Sequence, residues 1–176
     1  GNYRVEDAGL APGVRPWIVK EVGGVRVGIF GLGIAFEGLV MERLHRGVYH
    51  SEPLAAARRT VAELRGQGCA LVICLSHLGY RYQGDRPSDT LLAQQVEGID
   101  LILGGHTHTF MERPDVHTHS GGRLTLVNQV GFGGIRLGRI DVILGPAQGY
   151  AGAGRVAPSG PVHAPPAPPP LRPLRW

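Results

Sequence analysis

Cys69-Ala-Leu-Val-Ile-Cys-Leu-Ser-His-Leu-Gly-Tyr80 and, one short helix further on, Ile99-Asp-Leu-Ile-Leu-Gly-Gly-His-Thr-His108 are the stretches that decide the fold. Each begins as an apolar run and then breaks into glycine and histidine. A run of this kind, bounded by turn residues and too short for a helix, marks a strand covered on both faces. Between the two lies Ser88–Val96, which reads as a short helix capped by Ser88, with Asp89 complementing the helix dipole. Strand, helix, strand is the unit of an α/β layered domain.

The flanking sequence extends that pattern. Ser51–Gly66 predicts a helix: Ser51 is placed to cap it, Pro53 suits the first turn, and Leu54, Ala57, Val61 and Leu64 recur on one face. Trp17–Val22 and Val25–Gly31 flank Gly23-Gly24, a tight hairpin signal. Leu124–Val130 and Ile135–Leu144 alternate enough to be strands, separated by glycines. The expectation is an α/β domain with a mixed sheet over residues 1–144, followed by a second segment, 145–176. Nine of the 14 prolines fall in that segment, and it lacks periodic apolar residues, so a disordered or polyproline-like tail is expected. Pro165–Pro168 and Pro166–Pro169 have the PxxP form, which leaves a partner-binding role open.

Composition narrows the function classes. The 176 residues are 43% hydrophobic and 18% charged, and no apolar run reaches the length of a membrane span. The first 25 residues are mixed polar and read as mid-domain sequence, with no signal peptide. The net charge of +4 owes three units to Arg155, Arg172 and Arg175, so the body of the chain is nearly neutral. With 6% aromatic residues and no basic patch, nucleic acid is not the expected partner. Cys69 and Cys74, placed on one strand at an offset of five, would face opposite ways, which excludes a disulfide between them.

The histidines carry the chemistry. Ligands of open α/β sheets bind beyond the carboxyl ends of the strands, and both apolar runs end in histidine-bearing loops. His77 should therefore approach His106 and His108. On an extended segment the latter two would point the same way, with Gly104 and Gly105 letting the backbone turn tightly. Imidazole suits zinc, manganese, iron, cobalt or nickel. His117-Thr118-His119 repeats the spacing but follows no buried strand, so it reads as part of an exposed β-arm.

At this point the sequence resembles a known family. Ser76-His77-Leu78-Gly79, Gly104-Gly105-His106-Thr107-His108, and the closing Val127-Asn128-Gln129-Val130-Gly131 with Leu137-Gly138-Arg139-Ile140-Asp141 are similar to the bacterial 5′-nucleotidase branch of the calcineurin-like metallophosphoesterases. The resemblance covers about residues 1–144, as the C-terminal half of a catalytic domain. It implies an α/β fold, part of a four-layer α/β/β/α sandwich with mixed sheets, that binds two divalent metal ions. The positions matching His77 and His106 would bind the second ion, and that matching His108 the first. The implied activity is metal-dependent hydrolysis of a phosphate ester, such as a nucleoside monophosphate in nucleotide catabolism. A periplasmic or exported setting goes with it.

The family's earlier motifs, Asp-x-His, Gly-Asp-x-x-Asp and Gly-Asn-His-Asp/Glu, are absent. Gly1-Asn2 is not the last of these, because Tyr3 stands where histidine would, so Asn2 is not expected to be a ligand. The C-terminal substrate-binding domain of larger nucleotidases is missing as well. The expectation is a fragment, inactive alone, that needs the missing N-terminal half of the domain as its partner. The alternative is a non-catalytic remnant or interaction module retaining half of the fold. A stand-alone mononuclear zinc hydrolase is disfavoured, because the acid needed as general base or orienting group is not near the motifs: Glu112 and Asp115 lie on the β-arm, and Asp85 and Asp89 in the loop and helix after His77. An HxHxDH site is excluded by Phe110-Met111.

Overall fold

The computed structural model describes residues 1–144; the proline-rich segment 145–176, with the disorder expected of it, lies outside the described residues. Eight strands and two helices follow in the order β1 (Tyr3–Val5), β2 (Trp17–Val22), β3 (Val25–Leu32), β4 (Val48–His50), α1 (Pro53–Gly66), β5 (Leu71–Ser76), α2 (Asp89–Gln95), β6 (Leu101–Leu103), β7 (Asp115–Thr118) and β8 (Leu124–Asn128). Six of the strands form one mixed sheet in the order β2-β3-β5-β6-β8-β7, and β1 pairs with β4 beside it. The inner four run parallel, while β2 and β7 close the two edges antiparallel. This is the α/β architecture expected.

The β2–β3 hairpin turns at Gly23 and Gly24, with φ of 58° and 79°. Two successive positive φ angles are what a two-residue hairpin turn of matching twist requires. Helix α1 starts at Pro53, one residue later than a Ser51 cap would place it, and a different side chain caps it. Glu52 accepts hydrogen bonds from the Leu54 and Ala55 backbone N–H groups, while Ser51 donates its hydroxyl to the Asn2 carbonyl. Ser88 caps α2 as expected, accepting from the Leu91 N–H at 3.2 Å.

Both helices pack on one face of the sheet. Leu64 of α1 presses onto β3 where Gly28 leaves room: a Cβ at Gly28 would come within 2.9 Å of the Leu64 methyls. Val72, Cys74, Ile102 and Val127 point into the same core, each wholly buried. Burying a side chain of that size contributes roughly 1.5–3 kcal/mol. At the far edge Arg65 fastens the end of α1 to the starts of two strands. It donates to the Gly98, Cys69 and Ala70 carbonyls and pairs with Asp100 at 2.6 Å, and Asp100 also accepts from the Val72 N–H.

Three expectations need correction. The strand run 69–76 is covered on one face only. Leu75 and Leu103 point to the opposite face, 50% and 40% exposed, and Ile18 and Val116 share that side. No helix among the described residues packs on that face, although Leu101 on it is nearly buried between its neighbours. Cys69 precedes β5, so the two cysteines do not face opposite ways; both are free and buried in the helix-side core. Residues 135–144 form no strand, because β7 already occupies the sheet edge beside β8. Leu137 and Ile143 are left more than nine-tenths exposed.

Candidate metal centre

Parallel register brings Leu32, Ser76, Leu103 and Asn128, the last residues of four neighbouring strands, to one edge of the sheet. His77 is the first residue beyond β5, its N–H donating to the Leu32 carbonyl at 2.8 Å. The loop after β6 then carries His106 alongside. The two imidazoles meet edge to face with ring centroids 5.2 Å apart. His108 turns away from that contact and stacks on Phe132 at 5.0 Å.

The loop geometry differs from the extended segment expected. His106 and His108 sit in the left-handed region, with φ of 70° and 53°, and neither Gly104 nor Gly105 does. Such a conformation costs a non-glycine residue about 1–2 kcal/mol, and it persists only where surrounding contacts enforce it. The glycines serve close approach instead. A Cβ at Gly105 would lie 3.1 Å from His77 Nδ1, and one at Gly104 would be driven into the Asp89 carboxylate and the Gln129 side chain.

Asp89 is wholly buried beneath these loops and bonds Ser76, which corrects the expectation that no acid lies near the histidine motifs. It accepts from the Ser76 hydroxyl and, at 2.9 Å, from Gln129 Nε2. Burial pushes its carboxyl above the ordinary value of 3.8, against the pull of those two hydrogen bonds and of nearby His77. Gln129 also donates to the Gly105 carbonyl at 2.8 Å, while its Oε1 accepts from the Thr109 N–H and the Thr107 hydroxyl. Thr107 in turn accepts from the Tyr80 N–H at 2.9 Å. Sequence reading missed Asp89 and Gln129. The signal for Gln129 was present: Thr125, Val127 and Gln129 alternate onto the buried face of β8, and a polar residue there needs partners.

The donor chemistry suits a divalent transition metal in kind. Burial, and beyond it the positive charge that protonation would set beside His77, Arg86 and His108, lowers the pKa of His106 below 6.5. That favours the neutral imidazole a metal requires. The donors fall short in number, because among the described residues no three His, Cys, Asp or Glu side chains gather closely enough to hold an ion. Asn2 is not available either. It is buried and its amide is fully engaged, donating to the Gly33 and Ser51 carbonyls and accepting from the Gly33 N–H. His117 and His119 lie on and just beyond edge strand β7 and not on a free arm. His117 shares one Asp115 oxygen with the Tyr80 hydroxyl, and His119 bonds Thr125.

No family model matches the chain. Individual relatives do. The trifunctional nucleotide phosphoesterase protein YfkN of Bacillus subtilis is 31% identical over 131 residues, which is 74% of this chain and 8% of that protein. A probable 5′-nucleotidase of Treponema pallidum is 29% identical over 94 residues, 53% of this chain and 15% of that one. The crystal structure of a 5′-nucleotidase precursor from Thermus thermophilus superposes with a TM-score of 0.59 at 30% identity, over 73% of this chain and 26% of that one. The chain belongs to the 5′-nucleotidase-like branch of the calcineurin-like phosphoesterases.

The part of that phosphoesterase domain represented here is its C-terminal half. The chain spans about a quarter or less of the length of these relatives. The two histidine loops and the end of β8 carry the motifs on which the sequence resemblance rests. They are also the three segments that the Asp89–Gln129 contacts tie together.

Proposed function

We propose that this chain supplies part of the active site of a metal-dependent phosphoric ester hydrolase, a 5′-nucleotidase-like phosphomonoesterase, completed by residues beyond these 176. The observation that carries the proposal is the meeting of His77 and His106 from neighbouring strands, with His108 two residues on. His77 and His106 would hold one ion, and His108 would contribute to a second. Bound there, the ions would polarise the phosphoryl group and activate water.

The chain's own part is to hold its imidazoles neutral and aimed across one sheet edge. The bare sheet face carrying Leu75 and Leu103 is where the missing half of the domain would pack as the second sheet of the sandwich. Nucleoside monophosphates are the substrate class that the relatives' names support, and the Thermus relative's designation as a precursor supports export. No helix among the described residues is long and apolar enough to cross a membrane. The domain would end near residue 144, with the proline-rich segment as an appendage.

The test is phosphate release from AMP by the purified chain with manganese or cobalt, alongside cobalt binding. Expected are no measurable turnover and weak cobalt binding that His106→Ala abolishes. Turnover that His106→Ala abolishes would overturn the incomplete-site reading in favour of an autonomous enzyme. Cobalt binding indifferent to both His77→Ala and His106→Ala would favour a non-catalytic remnant.

A further inference from the structure

The Asp89–Gln129 pair joins the ends of three strands through one connected run of hydrogen bonds. Starting at the His77 loop, the Leu78 N–H donates to Ser76 Oγ at 3.1 Å, and the Ser76 hydroxyl donates to Asp89. From the other side Gln129 Nε2 donates to Asp89 and to the Gly105 carbonyl, so both its amide protons are used. Its carbonyl faces the Thr109 N–H at 3.1 Å and the Thr107 hydroxyl at 3.2 Å, so both its lone pairs are used. The Tyr80 N–H closes the circuit by donating to Thr107 Oγ1. The Asp89 N–H donates to the Gly79 carbonyl at 2.8 Å, seating the His77 loop on the start of α2.

We infer that Asp89, acting through Gln129, is the positioning residue that holds the His77 loop and the His106–His108 loop in one fixed relation. Three observations on independent groups agree. The carboxylate is wholly buried and faces only donors, so its role is to accept. Gln129 is 2% exposed and reaches both sides of Thr107, the residue between the two histidines. Gly104 has no room for a Cβ because the Asp89 and Gln129 side chains fill the space beneath it. A Thr107 N–H to Gly105 carbonyl bond at 2.9 Å turns the backbone locally around His106, and the left-handed backbone at both His106 and His108 is held further by the Gln129 contacts on either side.

The arrangement separates positioning from mere filling. An asparagine has the shape of aspartate but only one accepting oxygen: with it on Gln129 the Ser76 hydroxyl proton loses its acceptor, and with it on Ser76 the asparagine NH2 meets the Gln129 NH2. Flipping the Gln129 amide gives no relief, because its oxygen would then face the Gly105 carbonyl and its nitrogen the Thr109 N–H. A space-filling role predicts that Asp89→Asn behaves as wild type. A positioning role predicts that both histidine loops loosen.

The experiment compares wild type, Asp89→Asn and Thr107→Val as full 176-residue chains, with far-UV circular dichroism to confirm folding. Amide hydrogen exchange is read at Leu78, Tyr80 and Thr109 against β3 and β5, and cobalt binding is read by its d–d absorption. In both variants the three loop amides should exchange at least about 10-fold faster with the strands unchanged, and cobalt affinity should fall about 10- to 100-fold. Wild-type exchange at those amides in the folded variants overturns the inference. Should Asp89→Asn fail to fold, Thr107→Val decides whether the link from Gln129 to Thr107 holds the two loops, because it cuts that link and leaves the buried pair intact. The inference rests on the phosphoesterase reading of the histidines, and the two fail separately. A wild-type chain that binds no cobalt through His77 and His106 sinks that reading, and the exchange arm still decides whether Asp89 holds the loops.

Discussion

The backbone at Gly104 passes so close over the carboxylate of Asp89 that a methyl group there would collide with it. The double glycine ahead of the two histidines is thus an imprint of what lies underneath. Gly104→Ala should destabilise the chain by about 1–3 kcal/mol through overpacking against groups that cannot retreat. Gly121→Ala should be near neutral, since its nearest neighbour would be Glu97 Oε1 at 3.6 Å. Urea unfolding of the two variants makes the comparison, and equal midpoints would refute it.

His106 should titrate below 6.5, because its ring is partly desolvated and its proton would sit beside His77, Arg86 and His108. A folded pKa below the unfolded one means that the native state binds fewer protons in that window. Stability from this group is therefore full above about pH 6.5 and is lost as the pH falls through the folded value. Arg86→Ala should move the titration upward. Imidazole Cε1–H chemical shifts of the metal-free chain report it, and a midpoint at or above 6.5 contradicts the expectation.

Asn2 is a clamp. Its side chain pairs with both the N–H and the carbonyl of Gly33 and reaches Ser51, tying the start of the chain to β3 and to the approach of α1. Asn2→Ala leaves those groups without partners and should cost about 2–4 kcal/mol, on the scale of unmet buried polar groups. Asn2→Asp should also destabilise, since a carboxylate would face two carbonyl oxygens. Thermal unfolding measures both. If Asn2→Ala instead abolished cobalt binding while leaving the melting temperature unchanged, Asn2 would be a ligand and not a clamp.

The two faces of the sheet should respond in opposite ways. Ile102→Ala removes a wholly buried side chain and should cost about 2–5 kcal/mol. Leu75→Glu alters a half-exposed position on the bare face and should change folding stability by no more than about 0.5 kcal/mol. It should still reduce self-association at high concentration, because contiguous apolar surface promotes it. Denaturant melts and static light scattering separate the two effects. A large destabilisation by Leu75→Glu would mean that the bare face is covered.

Much of this was legible in the residues. Apolar runs ending in histidine told the strands from the loops, because a parallel strand must be apolar and its carboxyl end must be free to bind. Gly23-Gly24 and Ser88 carried their turn and cap in their own chemistry. The Ser51–Glu52 cap was misread because both side chains can serve, and the choice was made by Asn2, which lies far away in sequence and engages Ser51. Residues 135–144 alternate like a strand, but alternation fixes a face and not a partner. Asp89 was read as a helix-end charge because its position in the chain says only that. Its burial beneath Gly104 follows from three strands meeting, which no local pattern encodes.

The bare face of the six-stranded sheet carries a calorimetric signature. Heat capacity rises on unfolding because apolar surface passes from a dry core into water. Leu75, Leu103, Ile18 and Val116 are already wet in the native chain, so they add little to that change. These residues alone should unfold with a shallow stability curve and a smaller heat-capacity step per residue than a domain covered on both sides of its sheet. Were a second layer to dock on that face, as proposed, the missing heat capacity should appear as a large negative increment on association. On the proposed reading, that increment would measure, in water released, the area over which such a layer docks.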